Sequence, residues 1–308
     1  MSASKSGPTV TWDYLNVGLV QTNLKHSAAW RKGVGPPMHA MAQAKVWDEV
    51  QRSFSYFRAA EPKPQIILIP ELSVPRGRIL DLQRAARALG AVVIAGVDYR
   101  LDSAAHHVWN EAVLLIPEKW KKGERSRRLT SITIGKTYAA MEEDAELAKK
   151  ENGGWTFVRQ PHCWLFDVGE AGRFGVSICY DFLDLQRALL YKELIQHLFV
   201  ISYNRDTDSF LHNAESLART MYCNVVVCNT GYHGGSLAIT PYYEPWQRTV
   251  YRHNGNEMLV SQVVKLPVRA MINAQAGKAD PKTFKSLPPG WQQSPGGKSK
   301  LESKTEAV

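Results

Sequence analysis

Two patterns of apolar and polar positions alternate along most of the chain, and each predicts a different element. Short apolar runs, such as QIILIPE at 65–71 and AVVIAGVDY at 91–99, are typical of strands buried on both faces. Between such runs, apolar residues recur every three or four positions, as in MHAMAQAKVWDEVQRSFSYFRAA at 38–60, which predicts an amphipathic helix. The helix predicted at 77–90 ends at a glycine, which readily terminates helices.

The same alternation continues in the second half of the chain. A hairpin is predicted where CWLFDV and RFGVSIC flank GEAG, and helices are predicted at 182–196 and 210–223. The other apolar runs predict strands at 16–21, 111–117, 197–204, 224–230, 235–240, 248–253 and 258–266. Because the two halves share this order of elements, we expect two sheets packed face to face with helices outside.

Length and charge suggest one folded domain with basic appendages. The 308 residues are 44% hydrophobic, and we predict a domain over 13–270, an extension over 1–12 and a flexible basic tail over 271–308. Much of the net charge of +9 lies in this tail and in a basic insert at about 118–130, which contains EKWKKGERSRR. Neither segment interleaves aromatic residues as a groove for single-stranded nucleic acid does, so both are predicted to be solvated.

Several classes of protein are disfavoured by composition. No run approaches the roughly 18 apolar residues of a membrane span, and MSASKSGPTV lacks the apolar core of a secretory signal. We therefore expect a cytoplasmic protein without a membrane partner. The four cysteines form no CxxC pair and are too sparse for a disulfide framework, so we expect free thiols. No His and Cys spacing matches a recurring zinc site, and no metal or other cofactor is predicted.

RFGVSICYDF at 173–182 places a cysteine where an apolar strand ends and a polar stretch begins. A buried cysteine often serves as a small apolar side chain in a core. At a sharp turn from strand to helix, a cysteine can instead be a nucleophile, because the turn exposes its sulfur and leaves backbone N–H groups free. This stretch alone fits both interpretations of Cys179.

Two charged residues occur in apolar or β-type contexts elsewhere in the chain. Glu71 ends the run QIILIPE, and Lys136 lies in GKTY, a short β-like segment beyond the basic insert. Charged side chains are almost never buried unless they are paired or have a functional role. Taken singly, Glu71 also fits a cap at a strand end and Lys136 a surface lysine.

Together and in this order, Glu71, Lys136 and Cys179 resemble the nitrilase superfamily of carbon–nitrogen hydrolases. The specific parts of the likeness are the PE of PELS and the CYD of GVSICYD, and it covers roughly residues 13–270. Supporting pattern comes from GLVQTNL, WNEAVLLIP, GKTY and ARTMYCNVVVCNTGYHGGSLAITP. It implies an α/β fold of the nitrilase type, a four-layer α-β-β-α sandwich, and a Glu-Lys-Cys triad. CYD resembles the amidase and carbamoylase branches, whereas true nitrilases tend to carry Trp-Glu after the cysteine. Asp181 in CYD also fits an acid at a helix N-terminus.

The resemblance implies hydrolysis of an amide or N-carbamoyl bond through a thioester acyl-enzyme. Glu71 would accept the proton of the Cys179 thiol, which is only slightly ionised at neutral pH without such help. Lys136 and the backbone N–H of Tyr180 would stabilise the oxyanion that forms when the sulfur attacks a carbonyl carbon.

Further positions are predicted to complete the site. The family often carries a second glutamate downstream of the lysine, and Glu142 and Glu143 are the candidates. We prefer Glu143 as a fourth catalytic residue, although the acidic face of a solvated helix explains both. Loops after two predicted strands should line the substrate pocket through Asn204 and Ser236.

Other functions fit parts of the sequence. A papain-like enzyme would pair Cys179 with a histidine such as His212 or His233, but its cysteine would open a helix rather than follow a strand. A nitrilase-fold binding or regulatory module could associate with nucleic acid through the basic insert and tail. We prefer the hydrolase, because all three triad residue types are retained, and nucleic acid is the less favoured partner. The resemblance also implies a homodimer or larger assembly, to which LLYKELIQHLFV at 189–200 would contribute.

Overall fold

The computed structural model describes residues 12–30, 35–278 and 280–291. Its strands are β1 (Tyr14–Gln21), β2 (Ile66–Val74), β3 (Val92–Asp102), β4 (His107–Pro117), β5 (Leu129–Gly135), β6 (Thr156–Phe157), β7 (Leu165–Asp167), β8 (Arg173–Ile178), β9 (His197–Ser202), β10 (Asn224–Asn229), β11 (Ser236–Ile239), β12 (Thr249–His253) and β13 (Val260–Pro267). Its helices are α1 (His26–Ala29), α2 (Ala40–Ala59), α3 (Ile79–Leu89), α4 (Met141–Ala148), α5 (Leu185–Tyr191), α6 (Thr207–Leu217), α7 (Pro245–Arg248) and α8 (Arg269–Gln275). None of the helices in these ranges is long and apolar enough to cross a membrane.

The strands form two sheets of similar design. The first has the order β13-β1-β2-β3-β4-β5, with β6 beside β4, and the second has the order β12-β11-β10-β9-β8-β7. In each sheet three neighbouring strands are parallel, β1-β2-β3 in the first and β8-β9-β10 in the second. Antiparallel strands flank these three on both sides. The similarity of the two halves that the sequence predicts is therefore confirmed.

Strand β2 shows how the layers stack. Ile66 and Leu68 belong to the core between the two sheets, where β2 contacts β9. Ile67 and Ile69 point to the opposite face and pack in a second core with Phe54 of α2. Helix α6 covers the outer face of the second sheet by contacting β10 and β11. The layers are thus α-β-β-α, as predicted.

The helix predicted at 182–196 is wrong in its bounds. Its place is taken by a 3-10 turn at Cys179–Leu183, followed by the shorter α5. Glu193, just beyond α5, adopts a left-handed φ of 70°, which is incompatible with a continuing helix. Helix α6 begins earlier than predicted because the side chain of Asp206 caps it.

The basic insert connects β4 to β5 and is docked on the domain. Its Trp120 is buried, and the ring centroids of Trp120 and Trp12 lie 5.6 Å apart. The backbone N–H of Ser126 donates a hydrogen bond to the carbonyl oxygen of Arg87 in α3 at 2.9 Å. The prediction of a solvated loop therefore holds for most of its charged side chains but not for its backbone. Residues 1–11 of the predicted extension lie outside the described residues.

Residues 271–278 and 280–291 pack against the domain, whereas the predicted boundary at residue 270 places them in a flexible tail. Phe284 is buried and packs in a small core with Tyr222. The indole N–H of Trp291 donates a hydrogen bond to the carbonyl oxygen of Gln275 at 3.1 Å. These apolar residues are too widely spaced to form a periodic pattern, which explains why composition alone misassigned them. The remainder of the predicted tail lies outside the described residues.

We expect Phe284→Ala to lower the free energy of unfolding by about 3–5 kcal/mol, because it leaves a cavity in place of a buried ring. The side chain of Phe284 is 2% exposed. Trp246→Ala is the matched control, since Trp246 is 75% exposed and its truncation should change the free energy of unfolding by at most about 0.5 kcal/mol. Urea unfolding measures both values. Equal stability of the two variants would contradict the packing of segment 271–291.

Candidate active site

Glu71 lies at a bulge near the C-terminal end of β2. The pairing of β2 with β3 changes register between Ile69 and Val74, and Leu72 adopts a left-handed φ of 57°. Gly96 on β3 makes this path possible, because a Cβ there would lie 2.3 Å from the Cα of Glu71. Bulges of this kind redirect a side chain away from the regular alternation of a strand. The bulge therefore sets the direction of the buried Glu71 carboxylate.

Lys136 directly follows β5 and is 1% exposed. Its Nζ donates hydrogen bonds to Glu71 Oε1 at 2.8 Å and to Glu143 Oε2 at 2.5 Å. Its backbone N–H donates to the carbonyl oxygen of Asn110 on β4 at 2.9 Å. Burial lowers the pKa of Lys136, but the two carboxylates outweigh burial and raise this pKa well above its usual value. Lys136 therefore remains a cation at neutral pH.

Glu143 lies in the first turn of α4, and both of its carboxylate oxygens are fully engaged. Oε1 accepts hydrogen bonds from the Tyr99 hydroxyl at 2.9 Å and from Asn110 Nδ2 at 2.8 Å. Oε2 accepts from Lys136 and from the backbone N–H of Ala140 at 3.2 Å. Burial raises the pKa of Glu143, but Lys136 and the other donors outweigh it and hold this pKa below its usual value. Glu143 is therefore a fixed anion beside the lysine.

Cys179 is the first residue after β8 and adopts a left-handed φ of 48°, a strained conformation for a residue with a side chain. Its Sγ lies 3.9 Å from the carbonyl oxygen of Tyr203, which directly follows β9. The backbone N–H of Tyr203 donates to Glu71 Oε2 at 2.9 Å. Tyr180 is the second residue of the 3-10 turn, a position whose N–H has no partner inside the turn. The end of β9 thus links the thiol to the carboxylate.

The electrostatics of the thiol depend on the charged groups around it. Burial raises the pKa of Cys179 well above its usual value, and the negative charge of Glu71 raises it further. The positive charge of Lys136 acts in the opposite direction, and a hydrogen bond to Glu71 favours the protonated thiol. The resting site therefore holds a neutral thiol whose proton has an acceptor at hand.

Solved structures share this architecture. Saccharomyces cerevisiae Nit3, a member of branch 10 of the nitrilase superfamily, is 15% identical to this chain and superposes with a TM-score of 0.58 over 88% of this chain and 97% of Nit3. An amidase from Nesterenkonia sp. AN1, solved as a double mutant in complex with acrylamide, is 15% identical with a TM-score of 0.57 over 85% of this chain and 94% of the amidase. The chain has the nitrilase fold.

A third structure with this fold is a CN-hydrolase superfamily protein from Xanthomonas campestris, which carries an arsenic adduct in its active site. It is 14% identical, with a TM-score of 0.57 over 86% of this chain and 95% of that protein. No protein-family model matches the sequence, and no curated protein matches it. The roles of individual residues in this example of the nitrilase fold therefore have to be argued from the site itself.

Asp181 ties the turn that carries the thiol to the loop that carries Lys136. Its carboxylate accepts hydrogen bonds from the backbone N–H groups of Thr137 and Tyr138, each at 2.9 Å. It also lies 3.6 Å from the guanidinium of Arg187. Asp181 is thus a buried bridge between the two sheets of the nitrilase fold, which neither of its sequence-based interpretations anticipated.

Two residues that position the carboxylates are not among the predicted site residues. Asn110 donates from Nδ2 to Glu71 Oε1 and to Glu143 Oε1, each at 2.8 Å, and Tyr99 donates to Glu143 as well. Asn110 precedes the apolar run of β4 within WNEAVLLIP, so a polar residue at the start of a buried strand was a usable signal. Tyr99 ends a predicted strand, where tyrosine is common, and gave no signal.

The side chains of the remaining predicted residues form no hydrogen bond with Glu71, Lys136 or Cys179 in the described part of the chain. Glu142 is exposed and forms an ion pair with Arg205. The side chain of Asn204 bonds to the backbone of Asp206, and the Ser236 hydroxyl bonds to the backbone of Asn229. The Asn204 side chain thus holds the loop before α6, and the Ser236 hydroxyl joins the start of β11 to the end of β10. Contact of Asn204 and Ser236 with a substrate stays a prediction.

The charged groups of the site are arranged around an ammonium rather than around a metal ion. Lys136 occupies the position between the carboxylates of Glu71 and Glu143. Throughout the described part of the chain, no group of three or more His, Cys, Asp or Glu side chains is arranged to hold a metal ion. The residues present offer acid–base and nucleophilic chemistry.

We expect Glu71→Gln to shift the alkylation profile of Cys179 to lower pH, because it removes a negative charge and a hydrogen-bond acceptor that raise the pKa of the thiol. Peptide mass spectrometry after iodoacetamide treatment at a series of pH values measures the rate at this cysteine. Glu49→Gln is the matched control, since the buried carboxylate of Glu49 bonds to the backbone of Asn23 and should leave the profile unchanged. Identical profiles in both variants would contradict the coupling.

Proposed function

We propose that the protein is a carbon–nitrogen hydrolase that cleaves an amide or N-carbamoyl bond with Glu71, Lys136 and Cys179. The observation that carries this proposal is a buried ammonium held between two carboxylates beside a thiol at a strained strand end. A thiol that only fills a core needs neither the strain nor the charged neighbours. Support also comes from a glutamate-to-leucine mutant of the Nesterenkonia amidase, which shows covalent addition of the acetamide moiety of fluoroacetamide at its active-site cysteine.

Acylation begins when Glu71 accepts the proton of the Cys179 thiol. The thiolate attacks the carbonyl carbon and forms a carbon–sulfur bond, while the carbonyl oxygen becomes an oxyanion. The tetrahedral intermediate collapses as protonated Glu71 donates its proton to the leaving nitrogen. Ammonia or an amine departs, and the acyl group remains on the sulfur as a thioester.

Deacylation uses the same carboxylate in the reverse sense. Glu71 accepts a proton from a water molecule, whose oxygen attacks the thioester carbon. The second tetrahedral intermediate expels the thiolate of Cys179, which recovers a proton from Glu71. The acid product leaves, and the enzyme returns to its starting protonation state.

Oxyanion stabilisation falls to Lys136 and to the backbone N–H of Tyr180. An ammonium has three N–H donors, and Lys136 directs two of them at Glu71 and Glu143. The third is available for an oxyanion, and Glu143 keeps the ammonium in place while Glu71 changes its protonation state. This division of roles explains why the site contains two carboxylates.

The site favours amides over nitriles as substrates. An amide passes through a tetrahedral oxyanion, for which Lys136 and the Tyr180 N–H are suitable donors, whereas attack on a nitrile gives a thioimidate. The Asp181 carboxylate, which distinguishes CYD from the pattern of true nitrilases, is occupied by the loop that carries Lys136. It therefore shapes the site without being available to a substrate.

The experiment that tests the function is intact-mass measurement after exposure to a panel of amides, N-carbamoyl compounds and matched nitriles. We expect an acyl adduct and ammonia or amine release with at least one amide or carbamoyl compound, and loss of both in Cys179→Ala. Cys163→Ala is the matched control, since Cys163 is a free, partly exposed thiol and should be dispensable. Turnover by Cys179→Ala would contradict the nucleophile, and faster turnover of nitriles than of matched amides would contradict the bond preference.

We place this activity in the cytoplasm. All four cysteines, Cys163, Cys179, Cys223 and Cys228, are free. A reducing compartment keeps such thiols unpaired, and the proposed nucleophile has to be reduced to react.

The assembly we propose is a homodimer or larger oligomer formed through an apolar patch next to the nucleophile. This α5 patch consists of Leu183, Leu185, Leu189 and Leu190, which are between 40% and 69% exposed. A cluster of exposed leucines marks an association surface. The later part of the stretch at 189–200 lies in the buried strand β9, so only its first residues are available for the contact.

We expect Leu185→Glu combined with Leu189→Glu to convert the oligomer to a monomer, because two charges would be buried at the interface. Light scattering at micromolar concentration measures the mass of each form. The single variant Leu80→Glu is the control, since Leu80 is 64% exposed on α3, outside the α5 patch, and its change should leave the mass unaltered. A monomeric wild-type protein would contradict the assembly.

A further inference from the structure

A groove of about 870 Å³ lies between α3 and the basic insert. The backbone contact of Ser126 with Arg87 closes one side of it, and Arg87 Nη1 donates to the carbonyl oxygen of Arg127 at 3.2 Å. Gly90, which ends α3, allows the insert to approach, because a Cβ there would lie 2.4 Å from the carbonyl oxygen of Glu124. The groove is lined by Arg84, Arg87, Ala88, Glu118, Lys119, Arg125, Ser126 and Arg127.

The side chains that line this groove carry a net positive charge. Five of the eight lining residues are basic and one is acidic. Arg84 and Lys119 form ion pairs with Asp81 and Glu124, at 2.7 Å and 3.7 Å respectively. Over the ranges that the structure describes, the guanidinium groups of Arg125 and Arg127 form no ion pair. Cations that are close together and incompletely neutralised repel one another, so an anionic ligand would stabilise the groove.

We propose that this groove binds the phosphate backbone of a nucleic acid. Arginine is suited to this ligand because its planar guanidinium can form two parallel hydrogen bonds with a phosphate. The groove brings two arginines of α3 together with three basic residues of the insert, so a chain of phosphates finds several partners along one surface. A single small anion would satisfy only part of this charge.

The geometry favours recognition of phosphates rather than of bases. Trp120, the aromatic residue of the insert, is buried beside Trp12 and is not available for stacking on a base. None of the residues that line the groove is aromatic. Binding should therefore depend strongly on salt and little on base sequence.

The groove and the ion cluster around Lys136 lie toward opposite ends of β4. Asn110, which contacts the triad, and Pro117, which precedes the insert, are both on β4. Seven strand residues at roughly 3.3 Å each separate them by about 23 Å. The inference therefore does not rest on the proposed hydrolase, and the Cys179→Ala variant should bind nucleic acid as the wild type does.

The test is fluorescence anisotropy of a labelled DNA duplex with the full-length protein at a series of salt concentrations. If five cations each neutralise one phosphate, the slope of log K against log salt is about −4.5, and affinity falls about 500-fold between 50 and 200 mM salt. The double variant Arg125→Gln with Arg127→Gln removes two of these five cations. Its slope of log K against log salt should be about −2.7, so that affinity falls only about 40-fold between 50 and 200 mM salt.

The matched control is Lys278→Gln with Lys282→Gln, which removes the same charge from exposed positions outside the groove and should leave the slope unchanged. A single strand of the same length should also bind, with a slope of about −3.5. The proposal is overturned if the duplex does not bind at 50 mM salt, if the two double variants weaken binding equally, or if binding is confined to the single strand, which would indicate base stacking.

Discussion

The structure depends on a buried ion cluster, in which the carboxylates of Glu71 and Glu143 hold the ammonium of Lys136. Removing an ion from water costs several kcal/mol, and a buried pair is tolerated only where hydrogen bonds satisfy every remaining group. Here Asn110 donates to both Glu71 and Glu143, while Tyr99 and backbone N–H groups satisfy the other carboxylate oxygens. These donors come from β3, β4, α4 and the end of β9. The ion cluster therefore forms only when both sheets are in place.

Two strands end in backbone conformations that disfavour ordinary residues, and both ends carry groups of the site. The φ of 57° at Leu72 follows Glu71, and the φ of 48° belongs to Cys179 itself. Each such residue costs about 1–3 kcal/mol and persists only where the surroundings enforce it. Next to Glu71, Gly96 leaves the space that the path of Leu72 needs, and beside Cys179 the hydrogen bonds that Asp181 accepts hold the turn in place. The strain is thus a consequence of bringing the functional groups to one place.

Sequence patterns predicted the layers of the fold and the charged residues of the site. They predicted less well the side-chain contacts between residues of different strands and helices. Buried strands were recognisable because consecutive apolar residues are needed on both faces, and Glu71 was recognisable because a carboxylate is costly in such a context. Tyr99 was not, because its role depends on a neighbour from another element, and Asn110 gave only the weaker signal of a polar residue at the start of a buried strand. The basic groove could not be recognised either. Arg84 and Arg87 of α3 lie close to the insert only because β4 runs antiparallel to β3 and returns the chain to the same end of the sheet. Isolated apolar residues such as Phe284 carry no periodic signal at all.

The proposed proton transfer is compatible with this buried setting because it moves charge without changing the total. With a neutral thiol, the group formed by Lys136, Glu71, Glu143 and Cys179 has one positive and two negative charges. After the thiol proton passes to Glu71, the thiolate replaces that carboxylate as the second negative charge, and the ammonium is still adjacent to both negative groups. In a low-dielectric interior, creating a new charge costs far more free energy than moving an existing charge from one group to another beside a fixed counter-ion. Glu143, with its four hydrogen-bond partners, keeps that counter-ion fixed through the exchange.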